Sequence, residues 1–237
     1  MGKCGETSRR FGWSRWGRGA FYAAVLRAAS LNGADLKKFI AVAGNIGSGK
    51  SSLVEFLEAR YGFEPVYEPY LANPYLDDFY EDMSTWAFHS QTYFLTHKFR
   101  LHLGLDQHPE TVVLDRTIFE DAEIFALNLF KMRNINKRDY QLYRELYESM
   151  DKVLRPPDLM IYLKCSVRAI RKRIKKRGRP SEQSIPTRYL RRLNNLYDEW
   201  VERYDKSPVL IWDSERMDYL TDLVDQLNFK QELKRFL

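Results

Sequence analysis

Phe39-Ile40-Ala41-Val42-Ala43-Gly44-Asn45-Ile46-Gly47-Ser48-Gly49-Lys50-Ser51-Ser52 runs from an apolar, strand-like segment straight into the signature G-x-x-x-x-G-K-S. Glycines at 44, 47 and 49 let the backbone curl into a nest of N–H donors that cradles phosphates. Lys50 reaches the β- and γ-phosphates, and the Ser51 hydroxyl ligates Mg²⁺ at the start of a helix whose dipole favours anions. Ser51 to Glu58 has the amphipathic pattern of that helix. Residues Gly44, Asn45, Ile46, Gly47, Ser48, Gly49, Lys50, Ser51 and Ser52 are therefore the expected nucleoside triphosphate cradle.

Outward from this loop the chain alternates strand-like and helical patterns. Strands are expected at Phe39–Ala43, Pro65–Glu68, Thr111–Asp115, Asp158–Leu163 and Pro208–Trp212. Helices are expected at Thr85–Leu105, Glu120–Lys131, Lys137–Leu154, Val167–Lys176 and Thr187–Tyr204. Such alternation implies right-handed crossovers, a five-stranded parallel sheet with helices on both faces, and a site at the carboxyl ends of the strands. No repeat or linker divides residues 38–237, which read as one α/β domain.

Charge is unevenly placed. Residues 1–38 hold eight Lys/Arg against Glu6 and Asp35, and the remainder holds 30 basic and 30 acidic residues. A neutral body argues against whole-surface nucleic-acid binding. The basic leader, residues 1–37, has an apolar run from Ala20 to Ala29 too short to span a membrane. It reads as a dispensable extension on a cytoplasmic protein or as a mitochondrial transit peptide. Cys4 and Cys165 offer neither a disulfide framework nor metal spacing.

Two strand ends carry acids. Glu68 closes the second strand and Asp115 the third, the latter followed by Arg116. An acid beside a P-loop can assist Mg²⁺, and an adjacent arginine can hold phosphate or hydroxyl oxygens. From Arg168 to Arg179 eight of twelve residues are basic and none is acidic. The run ends in Arg177-Gly178-Arg179-Pro180, a helix stop opening a mobile loop. It reads as a cationic lid over a triphosphate, with a solvated helix face and a short nucleic-acid patch as alternatives. Arg177 and Arg179 flank Gly178, so they can swing, repel each other and lack an anchor until an anion arrives.

The P-loop together with Tyr67-Glu68-Pro69, Ser90-Gln91-Thr92-Tyr93, Asp115-Arg116-Thr117-Ile118-Phe119-Glu120-Asp121 and Arg177-Gly178-Arg179-Pro180-Ser181-Glu182 resembles the deoxynucleoside kinases, most closely their bacterial deoxyadenosine/deoxyguanosine branch. The resemblance covers residues 38–230 in the family's motif order. It implies a P-loop kinase fold with a mobile basic lid, ATP and Mg²⁺ as cofactors, a deoxynucleoside as the partner and a homodimer, with no role for nucleic acid or membrane. It implies that Glu68 is the general base toward the substrate 5′-OH and that Arg116 stands beside that hydroxyl. It further implies that Gln91 reads the base edge, Phe125 packs on the base, and Tyr80 with Glu182 holds the 3′-OH. Arg173 would lie near the donor adenine, Arg177 and Arg179 on its phosphates, and Asp115, where many members have Glu, would support Mg²⁺ with Ser51.

The chemistry agrees. A nucleoside presents a neutral hydroxyl that a carboxylate can orient and deprotonate, whereas a nucleoside monophosphate would be repelled by Glu68. Asp121 and Lys98 match the charged pair that purine-accepting members place near the base, with Lys where Arg is usual. They favour deoxyadenosine or deoxyguanosine, leave deoxycytidine possible and disfavour thymidine. The other readings are a nucleotide kinase or a non-enzymatic P-loop protein.

Overall fold

A computed structural model describes residues 38–68, 70–216 and 221–236; the leader lies outside the described residues. Five parallel strands form one sheet: β1 (Phe39–Ala43), β2 (Glu64–Val66), β3 (Val112–Asp115), β4 (Leu159–Lys164) and β5 (Val209–Asp213). Their order is β2-β3-β1-β4-β5, so the strand that feeds the P-loop is central. Its neighbours hold it in register through Phe39 with Val112 and Ile40 with Leu159.

Alternation along β1 shows why both faces are covered. Phe39, Ala41 and Ala43 pack on one core cluster, and Ile40 and Val42 on another. The second cluster is closed by α1 (Lys50–Tyr61), through Leu53, Val54 and Leu57, and by Phe229 and Leu233 of a C-terminal helix. The first is covered by a longer series: α2 (Leu76–Glu81), α3 (Met83–Gly104), α4 (Ile118–Glu120, running on through Asp121–Ala126 to Leu127–Lys131), α5 (Lys137–Asp151), α6 (Val167–Arg177) and, after the single turn α7 (Pro180–Gln183), α8 (Thr187–Arg203). The C-terminal helix, α9 (Leu223–Leu233), and α2 were not read in the sequence. Near-complete burial of β1, β3 and most of β4 is what a two-sided parallel sheet requires of apolar runs.

α4 departs from a regular helix. It opens at Ile118–Glu120, widens into a π-helical stretch at Asp121–Ala126 and resumes at Leu127–Lys131. Thr117 caps it: its backbone N–H donates to Glu120 Oε2 at 2.8 Å in a capping box. Such π segments cluster at functional sites, and this one carries Asp121 and Phe125. No described helix is long and apolar enough to cross a membrane.

Candidate active site

At the carboxyl ends of β1, β2 and β3 lies a cavity of about 270 Å³. Its floor at one end is the loop after β1. Gly47 has φ 77°, and a Cβ there would meet Ile174 at 3.0 Å, so both conformation and space demand glycine. Asn45 secures the loop, its amide donating to the Leu190 carbonyl at 2.9 Å and to Asn194 Oδ1 at 2.5 Å. Lys50 donates to the Asn45 carbonyl at 3.1 Å and lines the cavity. Burial, reinforced by Arg116, lowers its ammonium to about 8, against the pull of Asp115, Glu120 and Glu68. A phosphate there would restore the counter-charge that burial has removed.

Beside it, Ser51 Oγ donates to Asp115 Oδ2 at 2.7 Å, while Asp115 Oδ1 is buried without a hydrogen-bond partner. Arg116 follows with φ 70°, an unfavourable region for a non-glycine residue that is typically held at functional sites by its surroundings. Its surroundings are specific. The guanidinium donates to Glu68 Oε2 at 3.2 Å and to the Tyr197 hydroxyl at 2.6 Å, and its carbon sits 4.5 Å from the Phe125 ring centre. Glu120, fully buried, accepts from the Tyr197 hydroxyl at 2.7 Å and from the Gly44 N–H at 3.3 Å. One carboxylate thus ties the P-loop to the network that fixes Arg116.

The opposite wall is built from α3, α4 and the segment after β2. Glu68 Oε1 lies 2.8 Å from Lys98 Nζ, which also meets Asp121 Oδ1 at 2.6 Å. Burial alone would raise the Glu68 carboxyl, but Lys98 and Arg116 override it and hold the group at about 2. Asp121 goes the other way: burial, aided by the charge of Glu68, lifts it to about 7 despite Lys98. Gln91 Oε1 and Asp121 Oδ2 are both buried without partners, and both residues line the cavity. Orphaned acceptors facing one cavity are the mark of a site that a ligand completes. Phe125 and Phe94 add aromatic surface, and Tyr80 stays protonated because burial pushes its phenol up.

The basic run is not a free loop. Gly178 ends α6 in a left-handed cap, and the single turn α7 follows. Glu182 receives the Arg177 Nε at 3.0 Å, a second Arg177 contact through Nη2, and Arg179 Nη1 at 3.4 Å. The expectation that nothing anchors the two arginines is therefore corrected: Glu182 stands between them as an internal counter-ion, and Arg179 also rests 4.1 Å from the Tyr70 ring centre.

Fourteen of the expected residues need no displacement to share one cavity: Ile46, Gly47, Lys50, Ser51, Glu68, Tyr80, Gln91, Asp115, Arg116, Asp121, Phe125, Arg177, Arg179 and Glu182 all line it. Lys98, Arg173 and, within the loop, Gly44, Asn45, Ser48, Gly49 and Ser52 do not. Lys98, 1% exposed, sits behind the wall between two carboxylates, because an ammonium is too compact to reach past them. Arg173 instead grips the P-loop from outside, donating to the Ser48 carbonyl at 2.6 Å and to Ser214 Oγ at 3.1 Å. Glu120, Tyr197, Tyr70 and Phe94 are site residues that the sequence reading did not assign. Only Glu120 left a trace, the Thr117-x-x-Glu120 capping-box spacing.

A sequence model described as deoxynucleoside kinase matches residues 40–237. A deoxyadenosine/deoxycytidine kinase of Bacillus subtilis is 36% identical over 198 residues, covering 79% of this chain and 90% of its own length. A deoxyguanosine kinase of Lactobacillus acidophilus is 37% identical over 196 residues, covering 79% and 85%. Among solved structures, a deoxyadenosine kinase from M. mycoides with bound dATP superposes with a TM-score of 0.73 at 30% identity, over 83% of this chain and 99% of that one.

Proposed function

This chain belongs to the deoxynucleoside kinases, and from that premise we propose that it transfers the γ-phosphoryl of ATP to the 5′-OH of a deoxynucleoside through Glu68 and Arg116, preferring purines and accepting deoxycytidine. The observation that carries the residue assignment is the placement of Lys50 and Glu68 on one cavity, with Arg116 against Glu68. Lys50 and the P-loop N–H groups would hold the triphosphate. Glu68 would accept a hydrogen bond from the 5′-OH.

Held at about 2, Glu68 is a weak base toward a free hydroxyl. In a loose transition state that is no obstacle. As the bond from the γ-phosphorus to its bridging oxygen breaks and the bond to O5′ forms, the hydroxyl becomes acidic, and its proton passes to the Glu68 carboxylate late in the step. The same permanent negative charge disfavours a nucleoside monophosphate as acceptor. Ser51 and the unpartnered Asp115 Oδ1 supply hard oxygen atoms that suit Mg²⁺, whose chemistry there is to neutralise charge on the β- and γ-phosphate oxygens.

On the nucleoside side, Gln91 would read the base edge, Phe125 and Phe94 would pack on its faces, and Tyr80 and Glu182 would hold the 3′-OH. Arriving phosphates would compete with Glu182 for Arg177 and Arg179, so closing of the lid and release of Glu182 to the sugar go together. The reading includes a homodimer and a role in deoxynucleoside salvage, with family resemblance as support. It also includes a cytoplasmic location, or a mitochondrial one if the leader targets, and no nucleic-acid or membrane partner.

The test is ADP release coupled to a colour reaction over the four deoxynucleosides and their 5′-monophosphates. Release with deoxyadenosine or deoxyguanosine, less with deoxycytidine and least with thymidine is expected. Release with a monophosphate alone would overturn the assignment.

A further inference from the structure

Lys98 is an expected site residue whose charge lies behind the cavity wall rather than on it, between two carboxylates. Its ammonium is 2.6 Å from Asp121 Oδ1 and 2.8 Å from Glu68 Oε1. The Arg116 side chain takes the other Glu68 oxygen at 3.2 Å. Of the four oxygens on these two carboxylates, Asp121 Oδ2 is left buried and without a hydrogen-bond partner, on a residue that lines the cavity. We infer that Lys98 is a positioning residue that couples reading of the base to activation of the 5′-hydroxyl. In this coupling a base that donates an amino hydrogen to Asp121 keeps the shared ammonium drawn toward Asp121 and leaves Glu68 free to take the hydroxyl proton.

This coupling rests on the kinase reading above and on charge sharing. One buried cation between two carboxylates cannot satisfy both fully, and in a low-dielectric wall each change at one partner is felt at the other. An amino group, as on C6 of adenine or C4 of cytosine, donates most strongly to an ionised Asp121, and it stabilises that form. A carbonyl at the same place, as on guanine or thymine, requires Asp121 to carry a proton, so of the two purine substrates the coupling favours deoxyadenosine over deoxyguanosine. Protonated, Asp121 no longer competes, and Lys98 closes on Glu68, pinning the oxygen that must meet the hydroxyl. Burial has already brought Asp121 to about 7, so both forms are accessible; Glu68, Arg116 and Tyr143 are its other ionisable neighbours. Lysine suits this role better than arginine, since a compact ammonium with three donors can serve two oxygens at once without a planar fork committing it to one.

Steady-state kinetics with deoxyadenosine and with purine 2′-deoxyriboside, which lacks only the 6-amino group, test the coupling. With the intact chain, loss of the amino group should lower kcat by about 10-fold, beyond any rise in KM, the scale of one hydrogen bond to a charged partner. In Lys98→Met the same loss should act on KM alone, with a kcat ratio near one, and Lys98→Arg should restore part of the kcat difference. An equal kcat ratio in the intact chain and in Lys98→Met, or an effect confined to KM in the intact chain, overturns the coupling. If Lys98→Met does not fold, Asp121→Asn reports instead. It should drop kcat for both nucleosides to one common value, and a preserved kcat ratio there also overturns the inference. An intact chain that turns over none of the four deoxynucleosides would instead overturn the kinase assignment on which the coupling rests.

Discussion

The two walls of the cavity solve opposite electrostatic problems. On the acceptor wall, buried Lys98, Asp121 and Arg116 and half-buried Glu68 are mutually paired at 2.6 to 3.2 Å, so charge is balanced within the protein. On the donor wall, Lys50 is hydrogen-bonded, among the described residues, to the Asn45 backbone carbonyl at 3.1 Å, and Arg177 and Arg179 lean on the single carboxylate of Glu182. One wall is built for a neutral guest, the other for a polyanion. Electrostatic preorganisation lies with the first, and a surplus of cation awaiting its counter-charge lies with the second.

The contrast can be broken most forcefully at Glu68. Glu68→Gln should keep ATP binding while lowering kcat by roughly 10²-fold or more, the scale of positioned general-base catalysis; near-normal turnover in a stopped assay would remove it from the chemistry. On the donor wall, Arg177→Ala should lower kcat by roughly 10- to 100-fold, since it removes one charge-assisted contact. A change in the KM for ATP alone would mean that Arg177 binds the ground state only.

A thermal-denaturation series over pH sharpens the acceptor side. The Asp121 carboxyl is raised from its ordinary value to about 7, so the native state holds its proton more tightly than the unfolded chain. Its contribution is complete below the unfolded value near 4 and is lost as pH climbs toward 7. Glu68, depressed to about 2, has the reverse sign: its contribution is present above the ordinary carboxylate range and is lost as pH falls. Asp121→Asn should therefore flatten the decline in Tm between pH values of about 4 and 7 by roughly 2–4 °C or more; an unaltered slope would show that Asp121 does not carry it. The mildest change is Tyr70→Leu, which removes the ring beneath Arg179 and should raise the KM for ATP about 2-fold. A shift in the KM for the nucleoside instead would move Arg179 to the acceptor wall.

Much of this arrangement was legible because it follows from local rules. Five apolar runs specified the strands, and the P-loop and the strand-end acids followed from where those strands stop. Glu68 closes the expected strand Pro65–Glu68 but lies two residues past the end of β2, which stops at Val66 and is an edge strand with pairing on one side only. The start of α3 at Met83 could have been read from Asp82, which caps Ser84 and Thr85. The π segment could not: its widened turn, which sets Asp121 and Phe125 on the cavity, has no periodic signature in the residues themselves. Resemblance to the charged pair of purine-accepting members puts Lys98 at the base, but a matched position does not show how far the charge reaches. The bond between Tyr197 and Glu120 spans 77 positions of sequence, and only the folded sheet brings them together.

The strand order has a consequence for how the chain is made. β1 is synthesised first, yet it pairs with β3 and β4, whose residues emerge far later, as Val42 opposite Asp115 and Ala43 opposite Tyr162 show. No nascent chain lacking β4 can enclose the P-loop, so nucleotide affinity should arise abruptly during synthesis, once a long crossover has closed. A ligand that binds only after that closure stabilises the sheet as a unit, and its thermal shift reports on the whole domain rather than on the loop it touches.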